Sequence, residues 1–229
     1  MGNKSGSAYG LTALIPVKQG SKNNESYDKL IRDQLEMWPL DDASPMSKVP
    51  NTYICRMFLL NDCFYVGAPA IEEHLENRYL VFSSNFYGEL DSYLHGMWDN
   101  TQEELKELMQ HCLCFDEVSS PSTFADYIKR CQVDVSFFFN GSTDKPLEEQ
   151  LKGLYLKQAF SYFCYLTQPF QSQGDLGARR LQNAYQKFNE HCQPNNLGGP
   201  TWPIAATRIP ENLESEIKAI VDSAMEEIQ

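Results

Sequence analysis

The sequence has few basic residues and no long apolar run. It carries 19 lysines and arginines against 31 aspartates and glutamates, a formal net charge of −12. Nucleic-acid binding needs a clustered basic face, so this balance argues against a nucleic-acid partner. A membrane-spanning helix needs roughly 18 or more consecutive apolar residues. Because the chain has no such run, we expect no membrane association.

Several common motifs of catalysis are also missing. The sequence contains no G-x-G-x-x-G, G-x-x-x-x-G-K-[ST], G-x-S-x-G or H-E-x-x-H segment, which removes the usual nucleotide-binding, serine-hydrolase and zinc-protease interpretations. The seven cysteines form no C-x-x-C pair and indicate neither a disulfide framework nor a zinc site. We expect most of these cysteine side chains to be buried in the protein core. We also expect the protein to be located in a reducing cytoplasm. The polar N-terminus lacks the apolar run of a secretory signal and is predicted to be flexible.

The residues that are present predict a chain with a substantial core. Hydrophobic residues make up 42% of the 229 positions, which is enough to bury a core at this length. Apolar and alternating runs predict strands at residues 11–17, 52–60, 78–86 and 133–139. Helical spacing predicts helices over residues 25–38, from residue 90, from Thr101 and from Ser120-Pro121. Asp99-Asn100 is expected to interrupt the second helix, and Thr101 with Glu104 fits a capping box that restarts it.

The order strand, helix, strand, strand, helix, strand is that of the split βαβ arrangement. It predicts an α+β protein with a ferredoxin-like, four-stranded antiparallel sheet and both helices on one face. Residues 146–229 have mainly helical spacing. We therefore expect a domain over residues 1–145 and a helical C-terminal extension over residues 146–229 that packs on the same core.

The element order and one local motif resemble a known group. The run from Tyr79 to Leu94 contains Ser84-Asn85-Phe86-Tyr87-Gly88, which looks like an S-N-F-x-G strand-to-helix motif of a bacterial group, and His111-Cys112 is similar to another part of that pattern. The chain thus resembles the dimeric α+β barrel superfamily. This resemblance implies a small-molecule cavity over the sheet, usually enclosed by two subunits, and monooxygenase-like or peroxidase-like chemistry.

Two histidines and one arginine are the candidate catalytic residues. His111 and His95 could each act as a haem ligand or as an acid or base, or they could be ordinary surface or helix-end histidines. Arg56 interrupts an apolar strand and could bind a substrate carboxylate or a haem propionate. Alternatively, Arg56 faces the edge of the sheet or forms a salt bridge, for which Asp134 on the fourth strand is a possible partner.

Five further residues are candidates for substrate binding. Three are polar residues at the strand-to-helix turn, namely Asn85, Tyr87 and Asp91. The other two are aromatic residues of the predicted fourth strand, Phe137 and Phe139. The turn residues could instead form only a tight turn at Gly88, and the phenylalanines could be core residues. No metal site is predicted, because His74 lies among glutamates that indicate a solvated face.

The sequence therefore favours a small-molecule enzyme, monooxygenase-like or peroxidase-like, located in the cytoplasm. The alternative is a non-catalytic ligand-binding or protein-assembly module. The cofactor is unknown, and a haem protein and a cofactor-free protein both fit the residues. A homodimer fits the resemblance, and a monomer closed by the C-terminal helices stays open beside it.

Overall fold

The chain folds into two compact units. The computed structural model describes residues 2–199, 201–204 and 208–228. The units are Met1–Leu147 and Glu148–Gln229, and each has a cluster of buried hydrophobic side chains. None of the helices in the described ranges combines the length and the apolarity that a membrane crossing requires. The predicted packing of the C-terminal helices on the core of the sheet stays a prediction.

The first unit is α+β, with a four-stranded antiparallel sheet, as predicted. Its strands are β1 (Lys4–Ser5), β2 (Ala8–Pro16), β3 (Ser21–Lys22), β4 (Glu25–Ser26), β5 (Thr52–Leu60) and β6 (Tyr79–Tyr87). Its helices are α1 (Tyr27–Met37), α2 (Leu90–Met109) and α3 (Pro121–Cys131). The main sheet has the order β1-β2-β6-β5, and β3 pairs separately with β4. The long connection between β5 and β6 is irregular, as the sequence indicates.

One face of the sheet forms the core against the helices. Alternate residues of a strand point to opposite faces, and the buried alternate positions include Leu11 and Ile15 on β2 and Phe82 and Phe86 on β6. The buried side chains of α1, α2 and α3 belong to the same cluster. Tyr93 of α2 stacks on Phe86 with 3.7 Å between ring centroids. The helices therefore cover one face, and the opposite face is called the outer face below.

The predicted fourth strand at residues 133–139 is wrong. Gln132, just before this segment, forms an isolated bridge with Ala13 of β2, and residues 133–139 have no strand structure. The N-terminal segment, which was predicted to be flexible, takes this place, because β1 pairs with Ala8 and Tyr9 of β2. A strand edge that is already hydrogen-bonded cannot pair with a second segment, so residues 133–139 leave the plane of the sheet.

The segment after α3 crosses the outer face near the start of β2. A Cβ atom added to Gly10 would lie 2.9 Å from the ring of Phe138, so glycine permits this close packing. Further along, the Ser7 backbone N–H donates to the Asp144 carboxylate at 2.9 Å, and the Tyr53 hydroxyl donates to the Lys145 carbonyl. These contacts attach residues 144–145 to β5 and to the segment between β1 and β2 within the first unit.

The helix after β6 has two pieces, as expected, but the break falls at Thr101 and not at Asp99-Asn100. α2 spans Leu90–Met109, and the non-helical backbone of Thr101 (φ −138°, ψ 27°) makes a kink between the two helical pieces. The predicted capping box at Thr101 does not form, because the buried Thr101 hydroxyl donates back to the Met97 carbonyl at 2.7 Å. A threonine inside a helix often bonds in this way and bends it. Glu104 instead pairs with Lys48 at 2.8 Å.

The described residues of the second unit form three longer helices, as predicted. They are α4 (Leu147–Thr167), α5 (Gly174–His191) and α6 (Leu213–Glu226). Their buried side chains include Phe163 of α4, Phe188 of α5 and Ile217 of α6. Ordinary amphipathic packing thus accounts for this unit.

Candidate ligand-binding face

The outer face of β5 presents a row of three exposed side chains. Cys55, Met57 and Leu59 pack against the core, so the intervening Ile54, Arg56 and Phe58 point to the outer face. Ile54 is 55% exposed and Phe58 is 50% exposed. The row therefore places one cation between two large apolar side chains.

Arg56 has no partner among the described residues. Its side chain is exposed, and it takes part in none of the hydrogen bonds or ion pairs of the described ranges. The alternative of a salt bridge with Asp134 is not realised, because Asp134 lies in the irregular segment after α3. The guanidinium therefore has all of its donors available for an external acceptor.

Asn85 lies beside this row on the neighbouring strand. Arg56 is paired with Ser83 of β6, and Ile54 is paired with Asn85. Diagonal neighbours on adjacent strands lie about 7–8 Å apart, which is within reach of long side chains. Asn85 points away from the core, because Ser84 and Phe86 on either side of it are buried. The structure therefore brings Arg56, Ser83 and Asn85 to one surface.

Tyr87 and Gly88 line a separate small cleft at the strand-to-helix turn. The cleft has a volume of about 280 Å³ and is also lined by Asn51, Ser92 and Tyr93. Gly88 has a φ of 103°, a backbone conformation that glycine adopts readily.

Asp91 is in the first turn of α2, as expected. Its carboxylate pairs with Lys129 near the end of α3. This ion pair gives Asp91 a role in joining two helices, whatever else it contacts.

The two candidate catalytic histidines lie on the helix side of the sheet. His111 follows α2, is only 6% exposed, and packs its ring 5.6 Å from that of Tyr27. Burial lowers the pKa of His111, and the nearby positive charges of Lys22 and Lys18 lower it further. His95 lies on α2 and is half-buried. The sheet therefore separates both imidazoles from Arg56 and Asn85.

Phe137 and Phe139 lie in the irregular segment that replaces the fourth strand. They are 81% and 72% exposed, and neither is a core residue. Phe82, an aromatic residue of β6, is fully buried in the core. The three rings therefore do not line one pocket within the described structure.

The remaining histidines have ordinary partners. His74 contacts the Asp62 carboxylate at 2.8 Å, and His191 contacts the Tyr155 hydroxyl at 3.0 Å. Among the described residues, no group of three or more histidine, cysteine, aspartate or glutamate side chains is placed to hold a metal ion.

Ile54 and Phe58 are the functional candidates that the sequence interpretation missed. Their signal was available, because both lie two positions from Arg56 and therefore share its face of a strand. The whole run from Tyr53 to Leu60 is apolar apart from Arg56, so the pattern indicated a strand buried on both faces rather than one exposed row.

Comparisons with protein-family models, with curated proteins and with solved structures find no match for this chain.

Proposed function

We propose that this chain binds a small amphipathic anion, such as a carboxylate with an apolar body, on the outer face of its sheet. The observation that carries the proposal is the exposed guanidinium of Arg56, unpaired among the described residues and flanked by Ile54 and Phe58. A surface arginine needs no partner, but an arginine set between two half-exposed apolar side chains on a sheet is suited to an anion with an apolar part.

The chemistry of the three polar groups supports an anionic ligand. A guanidinium can donate two parallel hydrogen bonds to a carboxylate. The amide of Asn85 and the hydroxyl of Ser83 lie on the adjacent strand and could complete the oxygen contacts. Ile54 and Phe58 would cover the apolar body of the ligand, whose burial favours binding. This surface therefore favours a ligand with a negative charge at Arg56 and an apolar body next to Ile54 and Phe58.

The strand order supports a ferredoxin-like sheet of the dimeric α+β barrel type. We propose this finer fold because β2, α1, β5, β6 and α2 follow the split βαβ order, with all helices on one face. The short β1 and the bridge at Gln132 occupy the edge that a fourth strand would fill. In such an arrangement a second copy would cover the outer face and supply the other wall of the ligand site.

The outer face is proposed to bind a ligand, and no catalytic step is assigned to it. An oxidative enzyme that uses Arg56 together with His111 or His95 would need these groups around one ligand, and the sheet lies between them. Haem does not fit His111, because its ring is buried against Tyr27 and a porphyrin would have to displace that contact. We therefore derive no step through haem.

A fluorescent amphipathic anion tests the proposal. The probe is anilinonaphthalene sulfonate, and its affinity is measured by fluorescence titration of the full chain and of Arg56→Gln. Loss of a charge-assisted contact costs about 1.5 kcal/mol or more, so we expect the dissociation constant to rise about tenfold. A neutral probe of similar size, naphthalene, should bind both proteins equally.

The matched control is Arg130→Gln. Arg130 is also exposed, but it lies on α3 at the helix side of the sheet. The Arg130→Gln substitution removes one positive charge, as Arg56→Gln does, and should leave the affinity for anilinonaphthalene sulfonate unchanged. Equal affinity of the wild type and Arg56→Gln, or an equal loss in Arg130→Gln, would contradict a site at Arg56.

A further inference from the structure

The outer edge of β5 has no partner strand in the described part of the chain. β5 is the last strand in the order β1-β2-β6-β5, so it is paired along one edge only, with β6. An unpaired strand edge presents backbone N–H and C=O groups that can pair with another chain. This strand of 9 residues therefore offers a place where a further strand could be added.

Hydrogen bonds at the two ends of β6 show in which direction its backbone groups point. The Val17 N–H, at the end of β2, donates to the Arg78 carbonyl at 2.9 Å. The Tyr87 N–H donates to the Asn51 carbonyl, at the start of β5, at 3.1 Å. Backbone groups of successive residues in a strand face opposite edges. Even-numbered residues of β6 therefore bond to β2, and odd-numbered residues bond to β5.

The register between β6 and β5 then identifies the free backbone groups of β5. Arg56 is paired with Ser83, an odd-numbered residue of β6, so the backbone groups of Arg56 bond to β6. The next residue, Met57, consequently turns its N–H and C=O to the free edge, and so do Cys55 and Leu59. In the described structure, no backbone group outside the strands bonds to any of these three residues.

A groove lies beside this edge, between α1 and β5. It has a volume of about 460 Å³ and is lined by Arg32, Leu35, Glu36, Met57, Phe58 and Leu59. In a strand added to the edge, alternate side chains would point to the helix side, where the groove lies, and the others to the outer face. The backbone groups and the groove therefore favour the same occupant, which is an extended peptide.

The charges beside the edge favour an acidic residue in this peptide. Arg56 on the outer face and Arg32 at the groove are both exposed, and neither takes part in a hydrogen bond or ion pair of the described ranges. Glu36 is the one carboxylate that lines the groove, so the two guanidiniums outnumber it. The chain has a net charge of −12, but salt screens exposed charges beyond about 8 Å at physiological ionic strength.

We propose that the free edge of β5 binds an extended acidic peptide as an added antiparallel strand. Opposite Met57 and Leu59 the peptide has apolar side chains, which enter the groove. Opposite Arg56 it has a glutamate or aspartate, because directly opposed side chains on adjacent strands lie within contact distance. This inference rests on the proposed anion site, since it takes an acidic side chain as the anion that Arg56 contacts.

A synthetic peptide of this pattern, Ac-Ser-Val-Thr-Val-Glu-Val-Thr-NH2, is the probe. Its glutamate is placed opposite Arg56, and the valine before the glutamate is placed opposite Met57. The affinity for the full chain is measured by titration calorimetry. The expectation that most cysteines are buried is wrong for Cys63, Cys114 and Cys164, which are exposed, so a reducing agent is kept present to prevent cross-linking of chains.

Amide hydrogen exchange, followed by NMR, locates the bound peptide. With free peptide at about ten times its dissociation constant, we expect exchange of the Met57 and Leu59 N–H groups to slow about tenfold. The N–H groups of Arg56 and Phe58 already bond to β6 and should not change.

Two N-methylated peptides are the matched pair. Methylation of the valine opposite Met57 removes an N–H that donates to β5, so we expect the dissociation constant to rise about tenfold. Methylation of the glutamate removes an N–H that points away from β5 and should change the affinity less than about twofold. Replacing the glutamate by glutamine should weaken binding to the wild type and to Arg130→Gln, but not to Arg56→Gln.

Three outcomes would overturn the proposal. Equal affinity of the two N-methylated peptides, or unchanged exchange at Met57 and Leu59, would exclude strand addition even if anilinonaphthalene sulfonate still requires Arg56. Equal affinity of the glutamate and glutamine peptides for the wild type would exclude an acidic partner. Protection of the same amides without peptide, increasing with protein concentration, would assign the edge to a second copy. Failure of the anion site alone would instead appear in the fluorescence titration, with strand addition retained.

Discussion

At the scale of the residue, His111 shows how burial sets a charge state. Its ring is packed against Tyr27, and the cations of Lys18 and Lys22 lie nearby. Both burial and the two cations disfavour the imidazolium, so the pKa of His111 in the folded protein is below its ordinary value of 6.5. The neutral ring is thus part of the folded structure at neutral pH.

This lowered pKa predicts a loss of stability in mild acid. Below about pH 6.5 the unfolded chain binds a proton at His111 that the folded chain binds only at lower pH, so the free energy of unfolding falls as the pH falls. Because one proton is involved, the free energy of unfolding falls by at most about 1.4 kcal/mol for each pH unit in this range. Urea unfolding at about pH 7.5 and about pH 5.5 should show a smaller loss in His111→Gln than in the wild type.

Lys22→Gln serves as a second variant for the same prediction. Lys22→Gln removes one of the two cations near His111 and leaves the imidazole ring in place. The loss in the free energy of unfolding between the two pH values should therefore lie between that of the wild type and that of His111→Gln. If His111→Gln loses as much stability as the wild type between the two pH values, then another group causes the loss of stability in acid.

At the scale of the element, α3 is the helix whose start is best defined by side chains. The Ser120 hydroxyl accepts the Thr123 N–H at 3.2 Å, and the Thr123 hydroxyl accepts the Ser120 N–H at 3.0 Å. Pro121 occupies the first turn, where its missing N–H has no cost. Thr101, by contrast, is inside α2 and caps nothing.

Removal of this cap should destabilise the first unit measurably. We expect Ser120→Ala to lower the free energy of unfolding by about 0.5–2 kcal/mol, measured by urea denaturation. Ser119→Ala is the control, since the Ser119 hydroxyl makes none of the described hydrogen bonds, and it should change stability by less than about 0.5 kcal/mol. An equal effect of the two substitutions would show that the cap contributes nothing.

At the scale of the whole molecule, β5 is the last strand of the sheet and carries Ile54 and Phe58 half-exposed on its outer face. Large apolar side chains that form a patch on the exposed face of an edge strand indicate a contact with another surface. This exposed pair supports the proposed homodimer, in which a second copy would cover the outer face.

Sedimentation velocity over a range of protein concentrations tests this dimer. Phe58→Glu would bury a carboxylate in an apolar contact, which costs several kcal/mol unless it is paired, so we expect it to shift the protein to monomer. Phe64→Glu, at a 97% exposed position in the loop between β5 and β6, should sediment like the wild type. A wild type that is monomeric at every concentration would contradict the dimer and leave ligand binding at Arg56 to be judged by its own titration.

Most of the longer elements of this protein could be predicted from local sequence, but the segment at the edge of β2 and part of the candidate site could not. Residues 52–60 and the helix from Pro121 follow from alternation, helical spacing and turn chemistry, which act over a few neighbouring residues. Arg56 and Asn85 could also be singled out, because each is a polar residue in an apolar strand. Their common face depends on the register between β5 and β6, which no local pattern contains.

The sequence by itself determined the α+β class, the antiparallel strands β2, β5 and β6, and the three helices of the second unit. Tertiary structure decided which segment fills the edge of β2. Residues 133–139 have good strand alternation, yet the N-terminal residues pair there with less of it. The reason is that each hydrogen-bonding group on a strand edge is used by one partner, and β1 already pairs at Ala8 and Tyr9. The tertiary structure also places the histidines and Arg56 on opposite sides of the sheet.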